Sequence, residues 1–231
     1  MRTIATIALK GGSGKTTVAA HLALAAHLRG LKTVVVDTDP QRSATQVLQA
    51  RAAEGPLCVT TAGEGVFAAQ IAAVGSGMDA MIIDTAAGAV EDVTQAIVVA
   101  DLTVLVVRPT LIDIAATVRS VDIIRRLRRP ATIVVNQAPV ARDGVEPPSV
   151  ARALRALGLL RIAVTPVLLR SRTAYQAALE TGRSVEEGFD VNAKQEMAAL
   201  WGHVGRLVFG QRVAETTFGD DDEQARLFAG D

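Results

Sequence analysis

The sequence predicts an α/β fold, a doubly wound, mostly parallel sheet with helices on both faces. Short apolar runs typical of buried strands alternate with longer alanine- and leucine-rich runs of helical length. Several apolar runs end in a polar residue, as strands do at the ligand-binding edge of an open α/β sheet. We expect strands near 2–9, 32–37, 57–60, 80–84, 101–107, 131–136 and 162–168. We expect helices near 15–29, 41–53, 64–74, 90–99, 112–128, 149–157, 171–180 and 191–209.

Length and composition predict one large domain over 1–209, followed by an acidic C-terminal tail over 210–231. The chain has 231 residues, of which 49% are apolar, and its formal net charge is zero. Cys58 is the single cysteine, which excludes an intrachain disulfide and a cysteine-bridged metal cluster. No apolar run reaches the roughly 18 residues of a membrane span. Since Met1 leads directly into a strand, we expect a cytoplasmic protein without a signal peptide.

A glycine-rich loop follows the first predicted strand and leads into the first predicted helix. Backbone N–H groups of such a loop, together with a helix N-terminus, bind phosphate. Lys15 is placed to reach the β- and γ-phosphates of a nucleotide, and the hydroxyl of Thr16 is placed to bind Mg²⁺. The predicted nucleotide-binding residues of the loop are Lys10, Gly11, Gly12, Ser13, Gly14, Lys15, Thr16 and Thr17.

The loop departs from the usual G-x-x-x-x-G-K-[ST] pattern. Leu9 stands where that pattern has its first glycine, and a second lysine, Lys10, follows it. Two lysines on one loop repel each other unless each has its own anion. Lys10 reaching across a dimer interface to the partner's phosphates satisfies this requirement, and a solvated lysine at a strand end is the alternative.

The segment from Lys10 to Thr17 resembles the deviant Walker A motif of the ParA/MinD group of ATPases. The resemblance implies a P-loop NTPase fold with ATP and Mg²⁺ as cofactors. It also implies an ATP-dependent homodimer in which Lys10 acts in trans, with Lys10 and Lys15 both catalytic.

Two aspartates follow the three valines of the second predicted strand. A carboxylate pair beside a nucleotide can bind Mg²⁺ through water and orient an attacking water. A helix-capping turn is the alternative. Alternation along the strand would place Asp37 and Asp39 on the same side. The segment from Asp37 to Gln41 resembles the D-x-D-P-Q motif of ParA proteins, which implies that Asp39 orients the water and Asp37 supports the Mg²⁺ shell.

Three further strand ends carry candidate residues. Asp84 ends an apolar strand in a Walker B pattern and is expected to bind Mg²⁺-coordinated water. Asn136 ends another strand with an amide suited to an adenine edge, although a turn-forming asparagine remains open. Residues 108–113 resemble the T-P-S-P-L-D turn of short ParA proteins, which places Pro109 near the nucleotide. Arg108 is either an interface or phosphate contact or a surface residue.

Arginines supply most of the positive charge and are the candidates for DNA contact. Non-specific DNA binding needs only neutralisation of phosphates. Arg170 and Arg172 are the first candidates, since their segment resembles the nucleoid-binding region of ParA proteins. The arginines of 125–129 crowd a predicted helix end, where a solvated face and a DNA contact are equally open.

The resemblance is closest to small ParA partition ATPases of the ParF kind and implies a dimerisation switch. The ATP-bound dimer would bind nucleoid DNA without sequence preference and move plasmid or chromosome DNA. A ParB-like centromere-binding or adaptor protein would stimulate hydrolysis. The alternatives are positioning of a protein cargo and a MinD-like membrane switch, but the latter needs a basic amphipathic end whereas this end is acidic. An iron–sulfur carrier, a metabolic kinase or ligase and an ATP-binding scaffold are less favoured.

Overall fold

The computed structural model describes residues 1–88 and 90–210. Seven strands form one sheet in the order β3-β2-β4-β1-β5-β6-β7, and every described pairing is parallel. The strands are β1 Arg2–Ile7, β2 Thr33–Asp37, β3 Leu57–Thr60, β4 Ala80–Asp84, β5 Leu102–Val107, β6 Ala131–Ala138 and β7 Ala163–Arg170. The helices are α1 Lys15–Leu28, α2 Ser43–Gln49, α3 Val66–Gly75, α4 Val90–Val99, α5 Leu111–Leu127, α6 Pro148–Gly158, α7 Thr173–Leu179 and α8 Val191–Phe209. Short 3₁₀ turns lie at Gly63–Gly65 and Val185–Glu187. The predicted fold class is confirmed.

Helices cover both faces of the sheet and form two apolar layers. Side chains alternate along each strand, so neighbouring residues enter different layers. Val35 packs into the layer under α1, α2, α7 and α8, whereas Val34 and Val36 pack into the layer under α3 to α6. Helix α1 is buried between the sheet and α8, which fixes the position of the loop that precedes it.

Helix α2 is shorter than predicted because it begins after a turn with a left-handed residue. Arg42 has a φ of 54° immediately before the helix, and the helix ends at Gln49 rather than near residue 53. Gly30 follows α1 with a φ of 79°, the left-handed conformation that glycine commonly adopts just after a helix end. The predicted tail over 210–231 lies outside the described residues except for Gly210. Within the described residues, the helices lack the length and apolar character needed to cross a membrane.

The parallel arrangement brings the carboxyl ends of all seven strands to one edge of the sheet. Asp37 and Asp84 are paired in register on adjacent strands, with Thr6 of β1 beside Asp84. The loop after β1 lies at the same edge, as do the segments after β5, β6 and β7. We refer to this side, with the carboxyl ends of the strands, as the nucleotide edge.

Candidate nucleotide-binding site

The glycine loop between β1 and α1 leaves the start of the helix open to a ligand. Gly12 and Gly14 have φ angles of 78° and 83°, a backbone conformation that residues with a side chain rarely adopt. Gly14 precedes α1, and neither a side-chain cap nor an acidic residue occupies the first turn of this helix. The N–H groups of that turn therefore remain available to an anion.

Lys15 and Asp84 form a buried ion pair beneath the loop. Their Nζ and Oδ1 atoms are 2.8 Å apart, and the side chains are 7% and 0% exposed. Burial raises the pKa of the Asp84 carboxyl, although Lys15 and Thr16 pull it down. Its Oδ2 is buried and has no hydrogen-bond partner among the described residues. A buried carboxylate oxygen of this kind, beside the Thr16 hydroxyl, fits a Mg²⁺ ion that keeps its waters.

Asp37 holds the turn that carries Asp39. Its Oδ2 accepts hydrogen bonds from the N–H and the hydroxyl of Thr45, each at 2.9 Å. Its Oδ1 accepts from the Asp39 N–H at 3.1 Å. Strand β2 ends at Asp37, so strand alternation does not reach Asp39, and a turn rather than a shared strand face joins the two aspartates. With both oxygens of Asp37 engaged, its role in the Mg²⁺ shell stays a prediction.

Asp39 is more open than Asp37. It is half-buried, and its Oδ1 accepts a hydrogen bond from the Gln41 N–H at 2.9 Å. The carboxylate therefore stands at the nucleotide edge with capacity left for a further donor such as water. Its predicted part in orienting that water is compatible with this position.

Lys10 is paired within its own subunit, a contact that the sequence patterns did not predict. Its Nζ is 3.1 Å from Oδ2 of Asp113, whose side chain is only 2% exposed. The other oxygen of Asp113 is 3.3 Å from Nε of Arg108, and the hydroxyl of Thr110 also donates to Asp113. Burial raises the pKa of Asp113, but the hydrogen bonds from Thr110, Lys10 and Arg108 outweigh it and hold the pKa below its usual value. Arg108 is thus partly engaged, and Pro109 is buried beside this cluster.

Asn136 and Gln137 donate hydrogen bonds to carbonyl groups of the glycine loop. The Nδ2 of Asn136 donates to the carbonyl of Ser13 at 2.8 Å, and Gln137 donates to the carbonyl of Gly12 at 3.3 Å. The amide N–H₂ of Asn136 is therefore committed in part to the loop. Whether Asn136 also reads an adenine edge stays a prediction.

Arg170 and Arg172 line a cleft beside the loop. Thr17 and Asn136 also line this cleft. Arg170 is paired with Glu146 at 2.9 Å and Arg172 with Glu196 at 2.8 Å. Their side chains are only 15% and 19% exposed, so neither charge is freely presented to DNA, and the predicted DNA contact would require these pairs to open.

Gly14→Ala is expected to destabilise the loop. A Cβ at this position would collide with Nδ2 of Asn136, and the left-handed backbone adds strain of about 1–3 kcal/mol. We therefore expect a lower thermal unfolding midpoint and loss of nucleotide binding, measured by differential scanning fluorimetry with and without ATP. Gly158→Ala, at the end of α6 and outside the loop, is the control, because among the described residues a Cβ there meets no atom within 4 Å. Equal behaviour of the two variants would contradict the assigned role of Gly14.

A glycine loop at the start of a buried helix, with a lysine–aspartate pair beneath it at the edge of a parallel sheet, defines a P-loop nucleotide-binding domain. Residues 4–185 match the family model described as the CobQ/CobB/MinD/ParA nucleotide binding domain. The chain belongs to this family.

Solved structures of low sequence identity share the fold. Apo McdA from Cyanothece superposes with a TM-score of 0.75 at 16% identity, covering 89% of this chain and 100% of that one. The cell division ATPase MinD of Pyrococcus furiosus gives 0.71 at 18% identity, with 89% and 99% covered. A protein described as a plasmid partition protein of Borrelia burgdorferi, bound to AMPPNP, gives 0.67 at 13% identity, with 86% and 96% covered.

Two curated relatives match over a short segment. They are described as replication protein A, from Rhizobium rhizogenes and Sinorhizobium fredii, and are 49% and 54% identical over 43 residues. These alignments cover 19% of this chain and 11% of each relative.

Proposed function

We propose that this chain is a ParA-type ATPase that binds ATP with Mg²⁺ and forms a face-to-face homodimer. The observation that carries the proposal is the separation of the two loop lysines. Lys15 is buried against Asp84 beneath the loop, whereas Lys10 lies at the rim with its side chain 34% exposed. We expect Lys15 to bind the phosphates of the nucleotide in its own subunit and Lys10 to bind those of the nucleotide in a partner subunit.

The start of α5 supports a dimer interface at the nucleotide edge. Leu111 and Ile112 are 83% and 69% exposed, immediately beside the cluster of Lys10 and Asp113. Exposed apolar side chains next to a charged catalytic group favour burial against a second protein surface. The same edge of a second subunit would bury these two side chains and exclude water from both nucleotides.

Hydrolysis is proposed to follow the general pattern of phosphoryl transfer to water. Mg²⁺ supplies charge neutralisation to the phosphates when it is bound. Thr16 and Asp84 hold its position, Lys15 and the N–H groups of α1 orient the phosphates, and Asp39 accepts a hydrogen bond from the attacking water. The partner subunit's copy of Lys10 neutralises the charge that develops on the transferred group.

Binding of DNA without sequence preference is proposed as the output of the ATP-bound dimer at the nucleoid. Eight exposed arginines on α5, α6 and the turns that follow them make no ion pair with an acidic residue in the described part of the chain: Arg119, Arg125, Arg126, Arg128, Arg129, Arg152, Arg155 and Arg161. They are better placed to neutralise phosphates than the paired Arg170 and Arg172. A ParB-like centromere-binding or adaptor protein would stimulate hydrolysis, after which the dimer would release plasmid or chromosome DNA.

Positioning of a protein cargo is the second candidate function, because the fold is shared with McdA and MinD as well as with a partition protein.

A titration with random-sequence duplex DNA tests this proposal. Binding is expected only with ATP, and about four phosphate contacts predict a roughly 100-fold loss of affinity between 50 and 200 mM salt. The double variant Arg125→Ala/Arg126→Ala should weaken binding, and Arg170→Ala/Arg172→Ala tests the first candidates from the sequence. An affinity for DNA that does not depend on nucleotide or on salt concentration would contradict the DNA proposal. An ATP-dependent dimer that ignores DNA would favour a protein cargo.

A further inference from the structure

Glu196 of α8 binds three donors from residues 170–175, the segment that runs from the last residue of β7 into α7. Its Oε2 accepts hydrogen bonds from the N–H of Arg170 at 3.0 Å and from the hydroxyl of Tyr175 at 2.9 Å. Its Oε1 accepts from Nε of Arg172 at 2.8 Å. The Glu196 side chain is only 13% exposed, so these charge-assisted hydrogen bonds are shielded from solvent. One carboxylate therefore joins the end of β7, the turn after it and α7.

The segment held by Glu196 forms one wall of the cleft beside the glycine loop. Arg170, Arg172 and Tyr175 line this cleft together with Thr17 and Asn136. A nucleotide whose phosphates sit at the start of α1 must extend its ribose and base away from the loop along the nucleotide edge. This cleft adjoins the loop at Thr17, so it is the space the nucleoside would enter.

Tyr175 is also fixed from the side of α1. Its ring meets the imidazole of His21 edge-on, with the ring centroids 5.3 Å apart. Burial lowers the pKa of His21 to about 4, and its Nδ1 lies 2.9 Å from the carbonyl of Thr17. Burial together with Glu196 raises the pKa of Tyr175, so its hydroxyl remains protonated and donates to Glu196. The contacts run from α8 through Tyr175 to the helix that binds phosphate.

We propose that Glu196 is a positioning residue for the nucleoside part of the bound nucleotide. It acts through Arg172 and Tyr175, whose orientation it sets against the cleft, and it does not touch the phosphates. This inference rests on the proposed nucleotide-binding function. Helix α8, which contributes no residue to the glycine loop, thereby affects nucleotide affinity indirectly.

Glu196→Gln tests the inference by comparing two ligands that share phosphates. ATP carries the nucleoside, whereas inorganic tripolyphosphate carries only the phosphate chain. Loss of the charge weakens the hydrogen bonds from Arg172 and Tyr175, so we expect affinity for ATP to fall about 10-fold. Affinity for tripolyphosphate should remain within about twofold of the unmodified chain. Both are measured by isothermal titration calorimetry on the full chain with Mg²⁺.

Glu186→Gln is the matched control. Glu186 forms another shielded pair, with the guanidinium of Arg29 at 2.8 Å, and neither residue lines the cleft. It should leave both affinities within about twofold. The inference is overturned if Glu196→Gln lowers both affinities equally, as general damage to the fold would, or leaves ATP affinity unchanged. If the folded, unmodified chain binds neither ligand, the proposed function itself fails, which is a distinguishable result.

Discussion

Asp39→Ala is expected to slow ATP hydrolysis about 100-fold or more while leaving ATP-dependent dimerisation intact. Asp39 is half-buried at the nucleotide edge, and its carboxylate is engaged only by the Gln41 N–H among the hydrogen bonds of the described residues. It is therefore placed to orient water without contributing to the phosphate loop. Phosphate release is measured with DNA and with any stimulating partner present, and dimer mass by light scattering with ATP.

Glu54→Ala is the control for this prediction. Glu54 is an exposed acid just before β3, at the end of the sheet opposite the nucleotide edge, so its removal changes net charge equally without touching the site. It should hydrolyse ATP at the rate of the unmodified chain. Equal phosphate release by Asp39→Ala and the unmodified chain would remove Asp39 from the mechanism. Loss of the dimer in Asp39→Ala would instead assign Asp39 to nucleotide or subunit binding.

The sequence predicted the fold and the place of the site because both follow from local patterns. Each strand is a short apolar run, and parallel strands bring their carboxyl ends to one edge by construction. The glycine loop, Asp37 and Asp84 therefore lie together at this edge, whatever conformation the other segments adopt. The register confirms this, because Asp37 and Asp84 are direct neighbours on adjacent strands.

The partners of the site residues were beyond the reach of local patterns. Arg170 and Arg172 were interpreted from their own segment, but each is paired with an acid 24 residues away in sequence, one before and one after it. Asn136 has the amide that a base reader needs, yet its N–H₂ group is used by the carbonyl of Ser13. Residue type and strand position predict what a side chain can bind. Which group it binds depends on distances between elements far apart in the sequence.

Lys10 shows the same limit and leads to the second large expected effect. Its partner, Asp113, is 103 residues away in sequence, and a lysine at a loop gives no sign of it. The geometry of the ion pair between Lys10 and Asp113 is compatible with two roles for Lys10. Lys10 either contributes to the stability of its own subunit through Asp113, or it is held there until the phosphates of a partner subunit compete for it.

Lys10→Ala is expected to abolish ATP-dependent dimerisation and to lower hydrolysis about 1,000-fold, on the scale of a catalytic cation supplied in trans. Nucleotide binding by the monomer should persist, because Lys15 and the N–H groups of α1 are unchanged. Dimer mass is measured by light scattering, and monomer affinity by calorimetry with ADP. Loss of monomer affinity as well would place Lys10 in the subunit's own phosphate site.

Asp113→Asn separates the two interpretations of the Lys10 pair. It removes the same ion pair as Lys10→Ala but keeps the lysine, so a trans role predicts that the Asn variant still forms the ATP-dependent dimer. A purely structural pair predicts that both variants fail alike, with similar falls in unfolding midpoint. Because Arg108 and Thr110 also bind Asp113, the thermal midpoint of Asp113→Asn must be compared with its dimer mass. Dimerisation by the Asn variant despite a lowered midpoint would assign the essential charge to Lys10 itself.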